Sequence, residues 1–290
     1  MDTDTPTLDD PIEKEAVRLL RLLMHVECST GRKWNIETCR EIAPLTLEIN
    51  RLKKEKNAVI LTHSYVEPEV IYGVGDFKGD SYYLAAQAKK AEADIIVFAG
   101  VVFMAETAKI LSPDALVVVP DRDSGCSLAD SLSGEDVRNL KALYPNAAVV
   151  CYINCTADVK AESDVCVTSS NVYDIVAGLP EKQVLFVPDR LMADNIRKEM
   201  AQRNIDKEII SSDGTCVVHE EFTTDQIEEA RRTFPGLKIV AHPECTAEVA
   251  EKVDFLGSTG EMMKYVKSTN APYYLCLLYT SDAADDLQPG

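Results

Sequence analysis

The stretch NAVILTHSY at residues 57–65 decides the fold, because two related stretches follow it along the chain. These are NAAVVCYIN at residues 146–154 and GLKIVAHPE at residues 236–244. Each is a short apolar run that ends in polar or aromatic side chains, and a short helix-like segment follows each run. His63 and Tyr152 lie 89 positions apart, and Tyr152 and His242 lie 90 apart. The sequence therefore predicts an internal repeat.

Other segments extend the repeat and predict its architecture. The second strand of each repeat unit is assigned to three similar segments, residues 93–100, 163–170 and 253–260. A third strand is assigned to residues 115–123 and 183–191, and its counterpart in the last unit begins in residues 271–278. Strands that alternate with helices are typical of parallel sheets. We predict an α/β fold of three pseudo-threefold-related, three-layer αβα sandwich domains with small parallel sheets.

The repeat also gives predicted domain boundaries. Helical periodicity before the first repeat predicts an N-terminal helical extension, and the polar sequence YTSDAADDLQPG at the end predicts a non-native tail on a truncated chain. A divergent natural end is the alternative. The predicted divisions are an extension at 1–45, αβα domains at 46–135, 136–212 and 213–264, residues 265–280 packed back on the first domain, and the tail at 279–290.

Composition limits the possible partners and the location. The chain has 290 residues with 30 Lys plus Arg, 48 Asp plus Glu and a net charge of −18. This balance argues against nucleic acid or an anionic membrane as the main partner, although a local pocket can still bind a small anion. The sequence shows neither a signal peptide nor an apolar run of roughly 18 residues, so we expect a cytoplasmic protein. Nine cysteines in a reducing compartment are unsuited to a disulfide framework.

The ends of the repeated strands carry the candidate site residues. In open α/β sheets, ligands bind at the carboxyl ends of the strands. Polar residues can also simply mark the end of a strand, but the same residue classes at three equivalent ends favour a shared central cavity. Small polar residues follow the second strands and open helices, where they either bind an anion or cap the helix. The candidates are His63, Tyr65, Tyr152, Asn154, His242 and Glu244, with Ser169, Ser170, Ser258 and Thr259.

Two loop cysteines are candidate metal ligands. Cys126 and Cys216 each lie in a glycine-containing loop of a different repeat unit. Each could be an incidental thiol, and Cys216 with His219, one helical turn away, could belong to a zinc site. Widely spaced single cysteines fit an iron–sulfur cluster better than they fit a structural zinc site. Dinucleotide-binding, P-loop and serine-hydrolase motifs do not occur in the sequence.

The chain resembles the quinolinate synthase family from about residue 45 to about residue 275. The segments VILTHSYVEPEV, GCSLAD, DGTCVVHEEF, VAHPEC and GSTGEM are among those that carry the resemblance. It implies a pseudo-threefold architecture with the active site where three domains meet. It also implies condensation of iminoaspartate with dihydroxyacetone phosphate to quinolinate, in de novo NAD biosynthesis. A [4Fe–4S] cluster held by three cysteines would act there as a Lewis acid.

The resemblance implies a role for each matching residue. Cys126 and Cys216 are expected to be two of the three cluster ligands, and the third is not found in the sequence. Tyr65, His219 and Glu244 are expected to be catalytic. The expected substrate-binding residues are His63, Ser81, Tyr152, Asn154, Ser169, His242, Ser258 and Thr259.

The expected partners and the alternatives follow from the same match. L-aspartate oxidase or aspartate dehydrogenase is expected to supply iminoaspartate. One alternative is a non-catalytic iron–sulfur or metal-binding protein on the same fold. The other is a zinc hydrolase that uses Cys216, His219 and His242.

Overall fold

The structure is a computed structural model that describes residues 10–26 and 31–278. The predicted tail at 279–290 lies outside these residues. The chain divides into two compact units between Ser124 and Gly125. The described residues form three parallel sheets flanked by helices, which confirms the predicted α/β class with several αβα sandwiches. Within the described ranges, no helix is long and apolar enough to cross a membrane.

The first unit contains two N-terminal helices and one four-stranded sheet. The sheet has the strand order β2-β1-β3-β4, and all its pairs are parallel. Its elements are α1 (Pro11–Leu23), α2 (Ile36–Glu55), β1 (Ala58–His63), α3 (Pro68–Gly73), β2 (Phe77–Gly79), α4 (Ser81–Lys90), β3 (Ile95–Ala99), α5 (Val102–Leu111) and β4 (Leu116–Val118).

The second unit contains two sheets. The larger has the order β6-β5-β7-β8 and the smaller has the order β10-β9-β11, with parallel pairs throughout. The elements are α6 (Gly134–Leu143), β5 (Ala148–Tyr152), α7 (Ala157–Glu162), β6 (Val165–Val167), α8 (Val172–Gly178), β7 (Gln183–Val187), α9 (Arg190–Gln202), β8 (Glu208–Ser211), α10 (Val217–Glu220), α11 (Thr224–Thr233), β9 (Lys238–Ala241), α12 (Ala247–Lys252), β10 (Phe255–Leu256), α13 (Thr259–Ser268) and β11 (Tyr274–Leu277).

Each sheet belongs to one copy of a repeated module. Module 1 runs from α2 to β4, module 2 from α6 to β8, and module 3 from α11 to β11. The first helix of each module begins with a capping box, in which two side-chain and backbone hydrogen bonds satisfy the first turn. The helix after the first strand has six residues in all three modules, in α3, α7 and α12. The predicted internal repeat is therefore present in the structure.

An aspartate fixes the pairing of the first two strands in every module. Asp76, Asp164 and Asp254 each precede the second strand of their module. Their carboxylates accept the backbone N–H of Ile60 at 2.8 Å, Val149 at 2.9 Å and Ile239 at 3.0 Å. A lysine lies beside each of these carboxylates, namely Lys53, Lys141 and Lys238.

This anchor corrects the predicted alignment of the repeat. The sequence pattern made residues 93–100 the second strand of the first unit, but Asp76 shows that β2 is the equivalent of β6 and β10. Residues 95–99 form β3, which corresponds to β7 and β11. The three residues of β2, Phe-Lys-Gly, contain no apolar run, and this is why the pattern missed the strand. Modules 1 and 2 thus have four strands each.

One predicted division of the chain differs from the observed elements. The boundary between residues 45 and 46 falls inside α2, which continues through Pro44 to Glu55. Within the third sheet, β11 pairs with β9, with Cys276 opposite Val240. The packing of residues 265–280 on the first domain stays a prediction.

Candidate functional site

A buried carboxylate, that of Glu244, is the centre of the candidate site in the second unit. It lies in the turn after β9, and only 4% of the residue is exposed. Its Oε1 accepts a hydrogen bond from the Tyr152 hydroxyl at 2.7 Å and from Asn154 Nδ2 at 3.3 Å. Its Oε2 lies 3.3 Å from His219 Nδ1. Side chains from the ends of two different sheets therefore meet at one carboxylate.

The turn that carries Glu244 is held by an asparagine that the sequence analysis missed. Asn195 lies on α9 and is 4% exposed. Its Nδ2 donates to the carbonyl oxygens of Pro243 and Cys245, at 2.8 Å in both cases. One amide thus fixes the backbone on either side of Glu244. The available signal was a polar residue among the buried positions of the helix segment LMADNI.

A chain of hydroxyl groups extends the site beyond Glu244. The hydroxyl of Tyr152 bonds to Glu244 and also takes part in a hydrogen bond with the side chain of Ser169. Burial and the nearby charge of Glu244 raise the pKa of Tyr152 well above its usual range. Tyr152 therefore keeps its proton, and its hydroxyl donates a hydrogen bond to the carboxylate.

The surroundings of Glu244 keep its carboxyl group ionised. Burial alone would raise its pKa. The neighbouring His219 and His242 rings, with hydrogen bonds from His219 and Tyr152, instead lower the pKa of Glu244 to about 2. The group is a buried anion held by donors, an arrangement found at functional sites as well as in structural ion pairs.

Two histidines contact this anion in different ways. His242 Nδ1 accepts the backbone N–H of Glu244 at 3.4 Å, which requires a lone pair on that nitrogen. Burial lowers the pKa of His242 to about 4, so the ring is neutral at physiological pH. His219 lies on α10, and its ring centroid is 5.5 Å from that of His242.

Cys126 and Cys216 occupy equivalent positions in modules 1 and 2. Each follows the fourth strand of its module and precedes a short helical turn, Ala129–Ser131 for Cys126 and α10 for Cys216. Backbone N–H groups of the next turn lie beside each sulfur and favour its thiolate form. Such surroundings suit thiolates that hold a metal or a cluster.

The free thiols are protonated in these surroundings. Burial raises the pKa of Cys126 to about 11 and that of Cys216 to about 12. A positive metal centre would offset the burial cost and bind the thiolate form. Both sulfurs thus fit a thiolate-bound metal group.

Gly214 brings the two cysteine loops together. A Cβ atom on this residue would lie 2.6 Å from the carbonyl oxygen of Pro188 and would also overlap the hydroxyl of Ser131. Ser131 belongs to the Cys126 loop, where its Oγ donates to the Leu128 carbonyl at 2.7 Å. Only a glycine allows the Cys216 loop to approach this closely.

A three-residue group in the site could hold a metal ion. Ligand atoms of Cys216, His219 and Glu244 all lie within 4.8 Å of one another, and the three residues are buried. The zinc alternative from the sequence used His242 as the third ligand. Among the described residues, the third member of the group with Cys216 and His219 is Glu244.

The hydroxyl residues that follow the second strand of each module differ in their contacts. Ser81, Ser169 and Thr259 occupy the same position in modules 1, 2 and 3, five residues after the aspartate anchor. Ser258 precedes Thr259, and its Oγ donates to Glu261 Oε2 at 2.7 Å in a capping box. Ser258 therefore caps α13 and its substrate-binding role stays a prediction, while the side chain of Ser169 lies beside the Tyr152 hydroxyl.

The remaining candidates lie in the first unit. His63 ends β1, and its ring centroid is 3.9 Å from that of Tyr65. The Tyr65 backbone N–H donates to His63 Nδ1 at 3.4 Å. Burial lowers the pKa of His63 to about 4. Ser81 is the first residue of α4, after the N-cap Asp80. Their roles as substrate-binding or catalytic residues stay predictions.

A second buried acid was also missed. Asp189 is fully buried, and its Oδ1 accepts the Met192 N–H at 3.0 Å as the N-cap of α9. Among the described residues, its Oδ2 has no hydrogen-bond partner. Burial and then the charge of Glu244 raise the pKa of Asp189 to about 8. The signal in the sequence was an acid directly after the apolar strand QVLFV.

Comparison with known proteins decides the family. Residues 47–280 match the sequence model of the family described as "Quinolinate synthetase A protein". This match covers most of the chain.

The chain belongs to the quinolinate synthase family.

Individual family members give the same assignment. The chain is 45% identical over 263 residues to a quinolinate synthase from Caulobacter vibrioides, an alignment that covers 89% of this chain and 69% of that protein. It is 46% identical over 246 residues to a quinolinate synthase from Sinorhizobium fredii, with 85% and 67% covered. For the quinolinate synthase of Alkaliphilus metalliredigens, the identity is 45% over 228 residues, with 79% and 74% covered.

Proposed function

We propose that the protein condenses iminoaspartate with dihydroxyacetone phosphate and closes the pyridine ring of quinolinate, with loss of phosphate and water. Membership of the quinolinate synthase family supports this reaction. The single structural observation that carries it is the buried Glu244 carboxylate with Tyr152, Asn154 and His219 around it. Ring closure needs several proton transfers, and this group contains both donors and acceptors.

We propose that a [4Fe–4S] cluster is the cofactor. The thiols of Cys126 and Cys216, each beside backbone N–H groups of the following turn, would be two of its ligands. When bound, an iron with an open position supplies a Lewis acid toward a substrate hydroxyl.

The repeat suggests where a third ligand belongs. In modules 1 and 2 a cysteine follows the fourth strand, whereas the described part of module 3 contains β9, β10 and β11. By the symmetry of the repeat, we propose that a third ligand would take the equivalent position of module 3.

The residues of the site have distinct proposed roles. Glu244 and His219 would exchange a proton with the substrate, because the carboxylate and the imidazole lie 3.3 Å apart. Tyr152 and Asn154 would hold the carboxylate of Glu244 in place while that proton moves. Tyr65 is proposed as a second proton-transfer residue. The proposed substrate-binding residues are His63, Ser81, Ser169, His242, Ser258 and Thr259.

The substrates also imply partners. Iminoaspartate is an imine that hydrolyses readily in water. An enzyme must therefore form it shortly before it is used. We propose L-aspartate oxidase or aspartate dehydrogenase as that enzyme, and no nucleic acid or membrane as a partner.

Anaerobic reconstitution tests the proposal. The protein would be loaded with iron and sulfide, its cluster measured by absorbance, and quinolinate measured after addition of both substrates. We expect quinolinate from the loaded protein and little from the protein without iron and sulfide. Serine variants at Cys126 and Cys216 should lose both the absorbance and the product.

A metal-binding protein without this activity is the second candidate. The grouping of Cys216, His219 and Glu244 favours it, since these atoms could hold a single ion. A preparation that contains zinc alone, hydrolyses esters and makes no quinolinate would overturn the proposed reaction in favour of a zinc enzyme.

A further inference from the structure

Three cysteines gather on the second sheet, away from the Glu244 site. Cys151 lies on β5, Cys155 just before α7, and Cys166 on β6. Successive residues of a strand point to opposite faces of the sheet. Cys151 therefore packs on the face with Val149 and Leu185, whereas the neighbouring Tyr152 packs on the other face. The function proposed above uses none of the three thiols.

Strand pairing and side-chain contacts bring the thiols together. Cys151 and Cys166 are direct partners in the parallel pairing of β5 with β6. Adjacent strands lie about 4.8 Å apart, which is within the Cα separation that a disulfide spans. The Cys151 thiol lies next to both the Cys155 and the Cys166 thiols.

The three thiols differ in their access to solvent. Cys151 and Cys155 are fully buried, and Cys166 is exposed. A solvent-exposed thiol with a second thiol directly behind it is the arrangement in which a sulfenic acid is converted to a disulfide.

The surroundings also favour a nucleophilic sulfur at the centre. The neighbouring Cys155 and Cys166 thiols, with the charge of Lys160, lower the pKa of Cys151, while the same contacts raise the pKa values of Cys155 and Cys166. Lys160 is held close by, because its ammonium group donates to the Cys155 carbonyl. The central thiol is thus prepared to attack an oxidised neighbour.

We propose that Cys151, Cys155 and Cys166 form a peroxide-responsive thiol site. Hydrogen peroxide oxidises the exposed Cys166 thiol to a sulfenic acid and leaves as one water. The Cys151 sulfur then attacks that sulfur, forms the Cys151–Cys166 disulfide and expels a second water. Two thiols are oxidised and one peroxide is reduced. Cys155 can attack Cys151 in turn, which moves the disulfide to Cys151–Cys155 and releases Cys166 as a thiol.

The location of this site links it to Glu244. Tyr152 and Asn154 lie between Cys151 and Cys155 in the chain, and both bond to the Glu244 carboxylate. A disulfide at Cys151 would alter the turn that carries them. The thiol chemistry itself does not depend on the proposed reaction.

Peptide mapping after oxidation tests the proposal. The reduced, metal-free chain would be treated with one equivalent of hydrogen peroxide, alkylated and analysed by mass spectrometry. We expect a disulfide that joins Cys151 to Cys166 or to Cys155 and that dithiothreitol reverses. Unlinked Cys151, or Cys166 oxidised to a sulfinic acid without any disulfide to Cys151, would overturn the proposal.

Variants identify the thiol that reacts first. Cys166→Ser changes an exposed residue and should leave folding intact, yet we expect it to slow disulfide formation at Cys151 by at least about tenfold. Cys276→Ser, in the third sheet, is the matched control and should leave the rate unchanged. An unchanged rate in Cys166→Ser would contradict the proposed order of events.

Discussion

The turn after β1 and the turn after β9 share the same backbone hydrogen bonds. His63 Nδ1 accepts the N–H of Tyr65, and His242 Nδ1 accepts the N–H of Glu244, at 3.4 Å in both. The two histidine carbonyls also accept from the residue three positions on, at 3.1 Å and 3.0 Å. A six-residue helix follows each turn. The repeat thus preserves the backbone of the turn while one residue, Tyr65 or Glu244, changes its chemistry.

The side-chain surroundings of the two turns differ. Glu244 is an anion with Tyr152, Asn154 and His219 around it, and Asn195 fixes its backbone. Tyr65 instead places an aromatic ring against His63. A repeated module can therefore supply a charged group in one copy and an aromatic hydroxyl in another without a new fold.

The largest expected effect is at Glu244. Glu244→Ala leaves the Tyr152 hydroxyl and His219 without their acceptor, and we expect the free energy of unfolding to fall by about 3–5 kcal/mol. Chemical denaturation measures this. Glu248→Ala, at an exposed position on α12, is the control and should change stability by less than about 0.5 kcal/mol.

A substitution at the equivalent position of the first turn should lower the free energy of unfolding much less. Tyr65→Phe keeps the ring against His63 and removes only a hydroxyl, so a loss of at most about 1 kcal/mol is expected. If Tyr65→Phe cost as much as Glu244→Ala, the contrast between the turns would be wrong.

The second prediction concerns the pH dependence of stability. Asp189 has a folded pKa of about 8 against an ordinary value of 3.8, so its contribution is full below pH 3.8 and is lost as pH rises through 8. Asp189→Asn keeps the helix cap and removes this titration. We expect this variant to remove about 4 kcal/mol of the stability loss between pH 5 and pH 8, measured by urea unfolding.

Module 1 supplies the comparison for this effect. Val101 is the N-cap of α5, the position that corresponds to Asp189, and its side chain does not titrate. The pH-dependent loss should therefore come from the second unit. Identical pH profiles for Asp189→Asn and the wild-type protein would refute the assignment.

The third prediction tests the backbone of the Glu244 turn. Asn195→Ala leaves the carbonyls of Pro243 and Cys245 without a donor, and we expect a loss of about 2 kcal/mol. Asn50→Ala is a matched control, because Asn50 donates one partly buried bond, to Gly73, at 3.2 Å. Its expected cost is about 1 kcal/mol or less. Equal costs for the two variants would show that Asn195 has no special role.

The fourth prediction concerns the spacing of the two cysteine loops. In Gly214→Ala the added methyl group overlaps Pro188 and Ser131, so we expect cross-linking of Cys126 to Cys216 by dibromobimane to fall. The stability loss should be about 1–2 kcal/mol. Gly178→Ala is the control, because open space surrounds its Cβ position. Cross-linking that is equal in both variants would contradict the role of Gly214.

The sequence predicted the parts of the fold that depend on local pattern. The apolar runs of β1, β5 and β9 and their polar ends identified the repeat and the strand-end residues His63, Tyr152 and His242. β2 was missed because its three residues depend on Asp76 and on pairing with β1 rather than on an apolar run.

The candidate site was only partly predictable. Glu244 was identified, but its hydrogen bonds come from Tyr152 and Asn154, 92 and 90 residues away. Asn195 was missed because it acts on carbonyls 48 and 50 residues further along the chain. Such pairings depend on how the second and third sheets pack, and short-range periodicity contains no information about that packing.

One measurement tests the central claim most directly. The protein and its Glu244→Gln variant would be reconstituted anaerobically to equal cluster content, and quinolinate would be measured after iminoaspartate and dihydroxyacetone phosphate are added. We predict at least about a hundredfold slower quinolinate formation in Glu244→Gln, because the amide cannot accept a proton as the carboxylate does. Equal rates in the two proteins would contradict the account.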